Sequence, residues 1–210
     1  MATNNEEKEG EEGKTVKLVI QQCLSARLKP PPDEEEYFGD RSIREGMVVF
    51  VCFSKGATEA AAIRAAEATS RLKLCEPPEV EQEESGARYT ETTQVPPSRR
   101  KRMSVLERRG DVLVVPQATL GAKLKGKGRG NNSLQYHGNV DKADGERLFA
   151  AFCAALKSLV EESDAGEVPE SQGSQVSQGS QSPRVVGGVY GARQRLTMDT
   201  DGPYTHILQL

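Results

Sequence analysis

Met47-Val48-Val49-Phe50-Val51-Cys52-Phe53 is the stretch that decides the fold. Every residue in it is apolar and most are β-branched or aromatic, so the strand it forms has no polar face and is expected to be buried on both sides. Ser42-Ile43-Arg44-Glu45-Gly46 reads as the turn that leads into it. Just beyond it, Ala57 to Leu74 gives the clearest helix of the chain, with Ala61, Ala62, Ala65, Ala66, Ala68 and Leu72 set among good helix formers.

Upstream, Thr15 to Leu28 reads as one strand in which Val16, Leu18 and Ile20 alternate with Lys17, Val19 and Gln21, until Lys29-Pro30-Pro31-Pro32 ends it before an acidic loop. Downstream, Met103 to Leu106 and Asp111 to Val115 read as a hairpin around Arg108-Arg109-Gly110. Asp144 to Glu161 is a second amphipathic helix, with Leu148, Phe149, Phe152, Leu156, Leu159 and Val160 on one side. Val185 to Leu196 and Tyr204 to Leu210 read as closing strands. The order predicts an α+β fold: a single domain with a curved, mainly antiparallel, barrel-like sheet and two main helices against it.

With 210 residues, 36% hydrophobic and 28% charged, the chain can hold one ordinary core and some polar attachments. Residues 1–14 form an acidic tail too poor in apolar residues to offset the entropy of ordering, and are expected to be disordered. Two insertions interrupt the domain that runs from 15 to 210: an acidic, Thr- and Pro-rich one at 76–98, and a Ser/Gln loop at 163–183 with the near-repeat Ser-Gln-Gly-Ser-Gln. No apolar run is long enough to span a membrane and the start is acidic, so a soluble cytoplasmic protein is expected, with no membrane contact. Cys23, Cys52, Cys75 and Cys153 lie singly in apolar contexts, which favours buried thiols over disulfides or a metal site. No cofactor is called for.

Two short segments follow β-like runs and contain no strong acid, base or nucleophile: Pro116-Gln117-Ala118-Thr119-Leu120 and Gly202-Pro203-Tyr204-Thr205. In the first, a proline that cannot continue a central ladder frees the next amides, so the Ala118 and Thr119 N–H groups are candidate oxyanion donors and Thr119 Oγ an orienting group. No neighbouring base is evident that would make Thr119 a nucleophile. In the second, glycine beside proline can hold a main-chain carbonyl close to a ligand. Either segment taken alone is equally a plain turn. Lys123, Lys125, Lys127 and Arg129, interleaved with glycines, either track a phosphate backbone or form a solvated basic loop. Arg99-Arg100-Lys101-Arg102 extends that footprint or is an import-like tract, which would add a nuclear pool. Tyr136 and His137 are placed to stack on a base or a terminal ribose, or are simply solvated. His206, inside the last strand, fits a packing role.

Taken together, these landmarks resemble the D-aminoacyl-tRNA deacylase family. The resemblance rests on Val19-Ile20-Gln21-Gln22, Ile43-Arg44-Glu45-Gly46-Met47-Val48-Val49, Ser104-Val105-Leu106, Pro116 to Leu120, Tyr190-Gly191-Ala192 and Asp201-Gly202-Pro203-Tyr204-Thr205, in order and rough spacing. Where the family has Ser-Gln-x-Thr, Gln-Arg and Gly-Pro-Val-Thr, this chain has Pro116-Gln117-Ala118-Thr119, Gln21-Gln22 and Gly202-Pro203-Tyr204-Thr205. Those departures are similar to the animal-type, or Ala-tRNA, deacylase branch.

The resemblance implies a homodimer in which Gly202 and Pro203 of one subunit complete a site built on Gln117, Ala118 and Thr119 of the other. Pro116, Leu120, Tyr190, Gly191, Ala192 and Gln22 would bind substrate and read its chirality, and Lys123, Lys125, Lys127, Arg129, Tyr136 and His137 would bind tRNA. The implied reaction is hydrolysis of the ester that joins a wrongly attached amino acid to the 3′-terminal adenosine, assisted by the substrate's own 2′-hydroxyl. Gln22 stands where the strict branch has the arginine that holds a cis Gly-Pro. A trans Gly202–Pro203 bond, with room for L-alanyl and glycyl esters, is therefore the expectation from the resemblance. Two other classes compete with an editing hydrolase: a non-catalytic nucleic-acid-binding protein on the same fold, and an adaptor whose inserts are phosphorylated docking segments.

Overall fold

The computed structural model describes residues 13–29, 39, 41–75, 101–125, 133–165 and 182–210. The expectations for residues 1–12, the 76–98 insertion, the 166–181 part of the Ser/Gln loop, Arg99, Arg100, Lys127 and Arg129 lie outside the described residues.

Strand β4 (Gly46–Phe53) is the structural centre, and both of its faces are buried as its composition demands. It lies in a five-stranded sheet of order β10-β1-β4-β5-β8, formed with β1 (Val16–Cys23), β5 (Asp111–Pro116), β8 (Val185–Gly187) and β10 (Thr205–Gln209). On one face, Val16, Leu18, Ile20, Val49, Val51 and Val114 pack against two helices, α1 (Glu59–Arg71) through Ala62, Ala65 and Ala66 and α3 (Lys142–Ala165) through Leu148, Phe149, Phe152 and Leu156. On the other face, Val48, Leu113 and Val115 meet Cys23, Ala26, Leu28 and Ile43, the last three from a three-stranded antiparallel sheet of β3 (Arg41–Ile43), β2 (Ser25–Lys29) and β9 (Arg195–Asp199). The layers are therefore helices, central sheet and second sheet, while β6 (Lys123–Leu124) and β7 (Leu134–Gln135) form a separate two-stranded antiparallel sheet. This arrangement is why β4 shows no alternation.

Three expectations are corrected. First, Thr15 to Leu28 is two strands: Leu24 interrupts it, and the chain crosses from the central sheet to the second one. Second, there is no hairpin before Asp111. Val105–Arg108 is a one-turn helix, α2, whose Ser104 Oγ accepts from the Glu107 amide at 3.3 Å while the Glu107 carboxylate accepts from the Ser104 amide at 2.7 Å. That reciprocal capping box is a sequence signal outweighed by the apolar run around it. Third, the central sheet is mixed and open rather than mainly antiparallel and barrel-like: β4, β5 and β8 run parallel, and only β1 pairs antiparallel with β4 and β10. The long connection through α1 makes the parallel β4–β5 pair possible. The closing Val185 to Leu196 stretch likewise divides into β8 and β9, in different sheets.

The parallel pair begins at a tight junction. A Cβ on Gly46 would lie 1.9 Å from the Asp111 carbonyl oxygen, so only glycine fits there. The fully buried Asp111 carboxylate accepts from the Arg44 amide at 3.0 Å, from Arg44 Nε at 3.1 Å and Nη2 at 2.9 Å, and from the Arg184 amide at 2.9 Å. One side chain thus ties the starts of β4, β5 and β8. Helix α1 starts at Thr58, whose hydroxyl accepts from the Ala61 amide at 3.2 Å. The four cysteines are free thiols, and burial pushes Cys153 up to about 12 and Cys75 up to about 11. Among the described residues no helix is long and apolar enough to cross a membrane.

Candidate active site

At the carboxyl ends of β4 and β5 the chain opens a cleft of about 490 Å³, within the range of small-molecule sites. It is lined by Val51–Phe53, Pro116–Thr119, Tyr136, Asn139, Val140, Lys142 and Tyr190–Ala192. Ends of parallel strands are where loops can turn away from the sheet and leave backbone groups facing a ligand.

The wall formed by Pro116–Thr119 follows from the proline. Pro116 is the last residue of β5, opposite Val51, and the Gln117 amide still donates to the Val51 carbonyl at 2.8 Å. The ladder then stops, and Ala118–Gly121 forms a single 3-10 turn closed by the Leu120 amide on the Gln117 carbonyl at 3.2 Å. The first amides of such a turn have no intrahelical acceptor. Among the described residues no carbonyl accepts from Ala118 or Thr119 N–H, and both residues are exposed at the cleft. The Gln117 side-chain Nε2 donates to Thr119 Oγ1 at 2.6 Å, which fixes that hydroxyl's lone pairs.

Two supports of this turn carry no sequence pattern that would have revealed them. Asn139 Nδ2 donates to the Ala118 carbonyl at 2.8 Å, and its Oδ1 fills the space beside Gly121, where a Cβ would lie 1.7 Å from it. Cys52 Sγ lies 3.7 Å from the same carbonyl. Asn139 pins the Ala118 carbonyl on the side away from the free amides, so it sets their direction. Replacing Asn139 by alanine is expected to lower kcat roughly tenfold to a hundredfold by misplacing those amides. KM should change little, a split that steady-state kinetics would read.

The opposite wall is the loop after β8. Val189 exchanges two hydrogen bonds with the Gln194 side chain, its amide donating at 2.9 Å and its carbonyl accepting at 3.1 Å, which holds the loop that presents Tyr190. The Tyr190 ring sits 5.9 Å from Phe149, and its hydroxyl occupies the place of a side chain at Gly145, where a Cβ would lie 1.9 Å away. Burial first, then nearby acidic groups, push the Tyr190 phenol above its ordinary value.

Of the residues singled out in the sequence, Pro116, Gln117, Ala118, Thr119, Tyr136, Tyr190, Gly191 and Ala192 come together in the cleft. Leu120, Lys123, Lys125 and His137 flank it without lining it. Gln22 lies elsewhere, with its side-chain amide donating to the Leu74 carbonyl. Gln21 is the glutamine that meets the Gly-Pro element: its Nε2 donates to the Gly202 carbonyl at 3.2 Å, and its Oε1 accepts from the Thr205 hydroxyl. Gly202 has φ +102, which suits glycine, and all described peptide bonds, Gly202–Pro203 included, are trans. Gln21 pairs in register with Val48, near the start of β4, whereas the cleft lies at its end by Phe53. At strand rise that separation is roughly 15 Å, so the Gly-Pro element does not reach the cleft of its own chain.

Residues 19–209 match the family described as D-Tyr-tRNA(Tyr) deacylase. The chain belongs to this family. Its relatives include the "D-aminoacyl-tRNA deacylase 2" of Danio rerio, 38% identical over 194 residues with 92% of this chain and 98% of that protein covered. That of Gallus gallus is 34% identical, with 92% and 94% covered. A solved structure described as a probable eukaryotic D-amino acid tRNA deacylase superposes with a TM-score of 0.64 at 25% identity, over 93% of this chain and 100% of that one. Membership in the deacylase family makes the chain an enzyme, a hydrolase of that type.

Proposed function

We propose that this chain removes wrongly attached amino acids from tRNA in the cytoplasm, hydrolysing the ester at the 3′-terminal adenosine of D-aminoacyl-tRNA, L-alanyl-tRNA-Thr and glycyl-tRNA. The observation that carries the reading is the pair of free amides of Ala118 and Thr119 in a cleft that, among the described residues, no Asp, Glu or His lines. An aminoacyl ester is already activated. A site that orients water and receives the negative oxygen of the tetrahedral intermediate on two preformed N–H donors therefore lowers the barrier without a protein nucleophile. The neighbouring 2′-hydroxyl of the substrate assists the attacking water, and Thr119 Oγ, held by Gln117, orients the ester.

The reading includes a homodimer. Ile207, 74% exposed on edge strand β10, stands in register with half-buried Val19 and Phe50, and this apolar row on the face away from the helices suits cover by a second copy. In such a dimer, Gly202 and Pro203 of the partner close the cleft, and a trans Gly-Pro leaves room for a small L side chain. Exposed Lys123 and Lys125, a few residues beyond the Ala118–Gly121 turn, would meet the tRNA strand beyond its last nucleotide.

The test is release of amino acid from D-tyrosyl-tRNA, L-alanyl-tRNA-Thr and L-threonyl-tRNA-Thr by catalytic amounts of protein. Turnover of the first two with the third spared is expected. Turnover of the D-ester alone would remove the relaxed specificity, and turnover of none would remove the editing activity.

A further inference from the structure

We propose that Lys142 binds the phosphate that joins the substrate's terminal nucleoside to the rest of its strand. The inference rests on the reading of the cleft as the place where an aminoacyl ester of tRNA is hydrolysed. Among the described residues that line the cleft, Lys142 is the only cation, and none is a carboxylate. The cleft therefore has one positive group and no negative one, which is the polarity of a site for an anion.

The position of this lysine is not explained by the helix that carries it. Lys142 is the first residue of α3, where the helix dipole disfavours a positive charge. The neighbouring Asp141 carboxylate is engaged in capping, accepting from the Asp144 amide at 2.9 Å, and among the described residues Lys142 makes no ion pair. Its stem is instead laid across the loop of the opposite wall. Gly191, at φ +73, has no Cβ, and one placed there would lie 2.8 Å from Lys142 Cε and 3.4 Å from Nζ. The glycine leaves the groove in which the lysine stem lies, so the exposed ammonium is placed beside Gly191 on the wall of the cleft.

Substrate chemistry fixes which end of the ligand meets this ammonium. The amino acid carries its own α-ammonium, which a lysine repels, so the Lys142 end of the cleft takes the nucleotide. With the ester carbonyl on the Ala118 and Thr119 amides, the group that leaves the cleft by its mouth is the 5′-phosphate of the terminal nucleoside. A lysine serves such an oxygen cluster as a point charge with three rotatable donors.

The test compares three substrates: D-aminoacyl-tRNA, the D-aminoacyl ester of adenosine, and the same ester of adenosine 5′-monophosphate, each with wild type, Lys142→Gln and Lys142→Arg. Wild type is expected to favour the phosphorylated ester over the plain one by about tenfold in kcat/KM, the worth of one charged hydrogen bond, through KM. In K142Q that ratio should fall to about one, and in K142R most of it should return. A ratio that persists in K142Q, or that is already near one in wild type, would overturn the assignment. Equal loss on both small esters with the ratio kept would assign Lys142 a structural role instead. Wild type that hydrolyses none of the three esters would overturn the editing reading itself, and the phosphate assignment with it.

Discussion

Replacing Ala118 by proline is expected to lower kcat on a mischarged tRNA by about 10²- to 10³-fold, the usual cost of losing one oxyanion donor. The substitution removes one N–H and little else. Ala118 is the first residue of its 3-10 turn, its amide has no acceptor within the described chain, and proline is tolerated at such a position because the missing donor was unpaired. Gln117 before it has φ −136 and ψ 77, outside the helical region that a following proline excludes. The variant should therefore fold, bind substrate with nearly unchanged KM and melt close to wild type. An Ala118→Gly control, which keeps the amide, should lose far less. A proline variant with kcat within threefold of wild type would show that the free amides of this turn do not stabilise the transition state.

The largest expected effect on stability comes from Asp111→Ala, a loss of about 3 kcal/mol at neutral pH. The carboxylate has no exposed surface, and its removal leaves the part-buried amides of Arg44 and Arg184, just before two parallel strands, without their acceptor. The Arg44 guanidinium, with 43% of its side chain exposed, recovers water and so adds less to the loss than a buried partner would. Burial pushes the Asp111 carboxyl up, but the hydrogen bonds from the Arg44 side chain and from the Arg44 and Arg184 amides outweigh it and hold the group below its ordinary value. A carboxylate depressed in the folded state contributes stability that is complete above its unfolded pKa and is lost as pH falls through the folded one. The gap between wild type and variant should thus be full at pH 7 and shrink below the ordinary aspartate range of about 4. Urea titrations across pH read this directly; a gap that widens on acidification would contradict the assignment.

Much of this was legible in the sequence where a single residue type forces the outcome. The unbroken apolar character of β4 gave burial on two faces, and Pro116 gave the place where the ladder ends and amides come free. Parallel pairing was not legible, because β4 and β5 are apolar runs that look alike in either orientation. The direction is set by α1 and by the Gly46–Asp111 contact, which only three dimensions reveal. The capping box at Ser104 was readable and lost to the pull of a hairpin pattern. Asn139, Gln194 and Gly145 act by reaching across to another segment, and no local pattern marks such a residue. Gln21 and Gln22 show the limit of reading by likeness. The two adjacent glutamines point to opposite sides of β1, and it is the first that holds the Gly-Pro turn.

The pairing of β1 with β10 bears on how the protein is made. Val16 and Leu210 exchange both of their main-chain hydrogen bonds, at 2.8 and 2.9 Å, so β1, among the first described residues, takes its edge partner from the last. During synthesis, β4 can cover one side of β1 early, while the other side, flanked by Val19 and Ile20, stays an open edge until β10 emerges. An unpaired apolar edge of that kind is a template for association with other chains. A chain truncated within β10 should therefore aggregate instead of behaving as a slightly weakened enzyme.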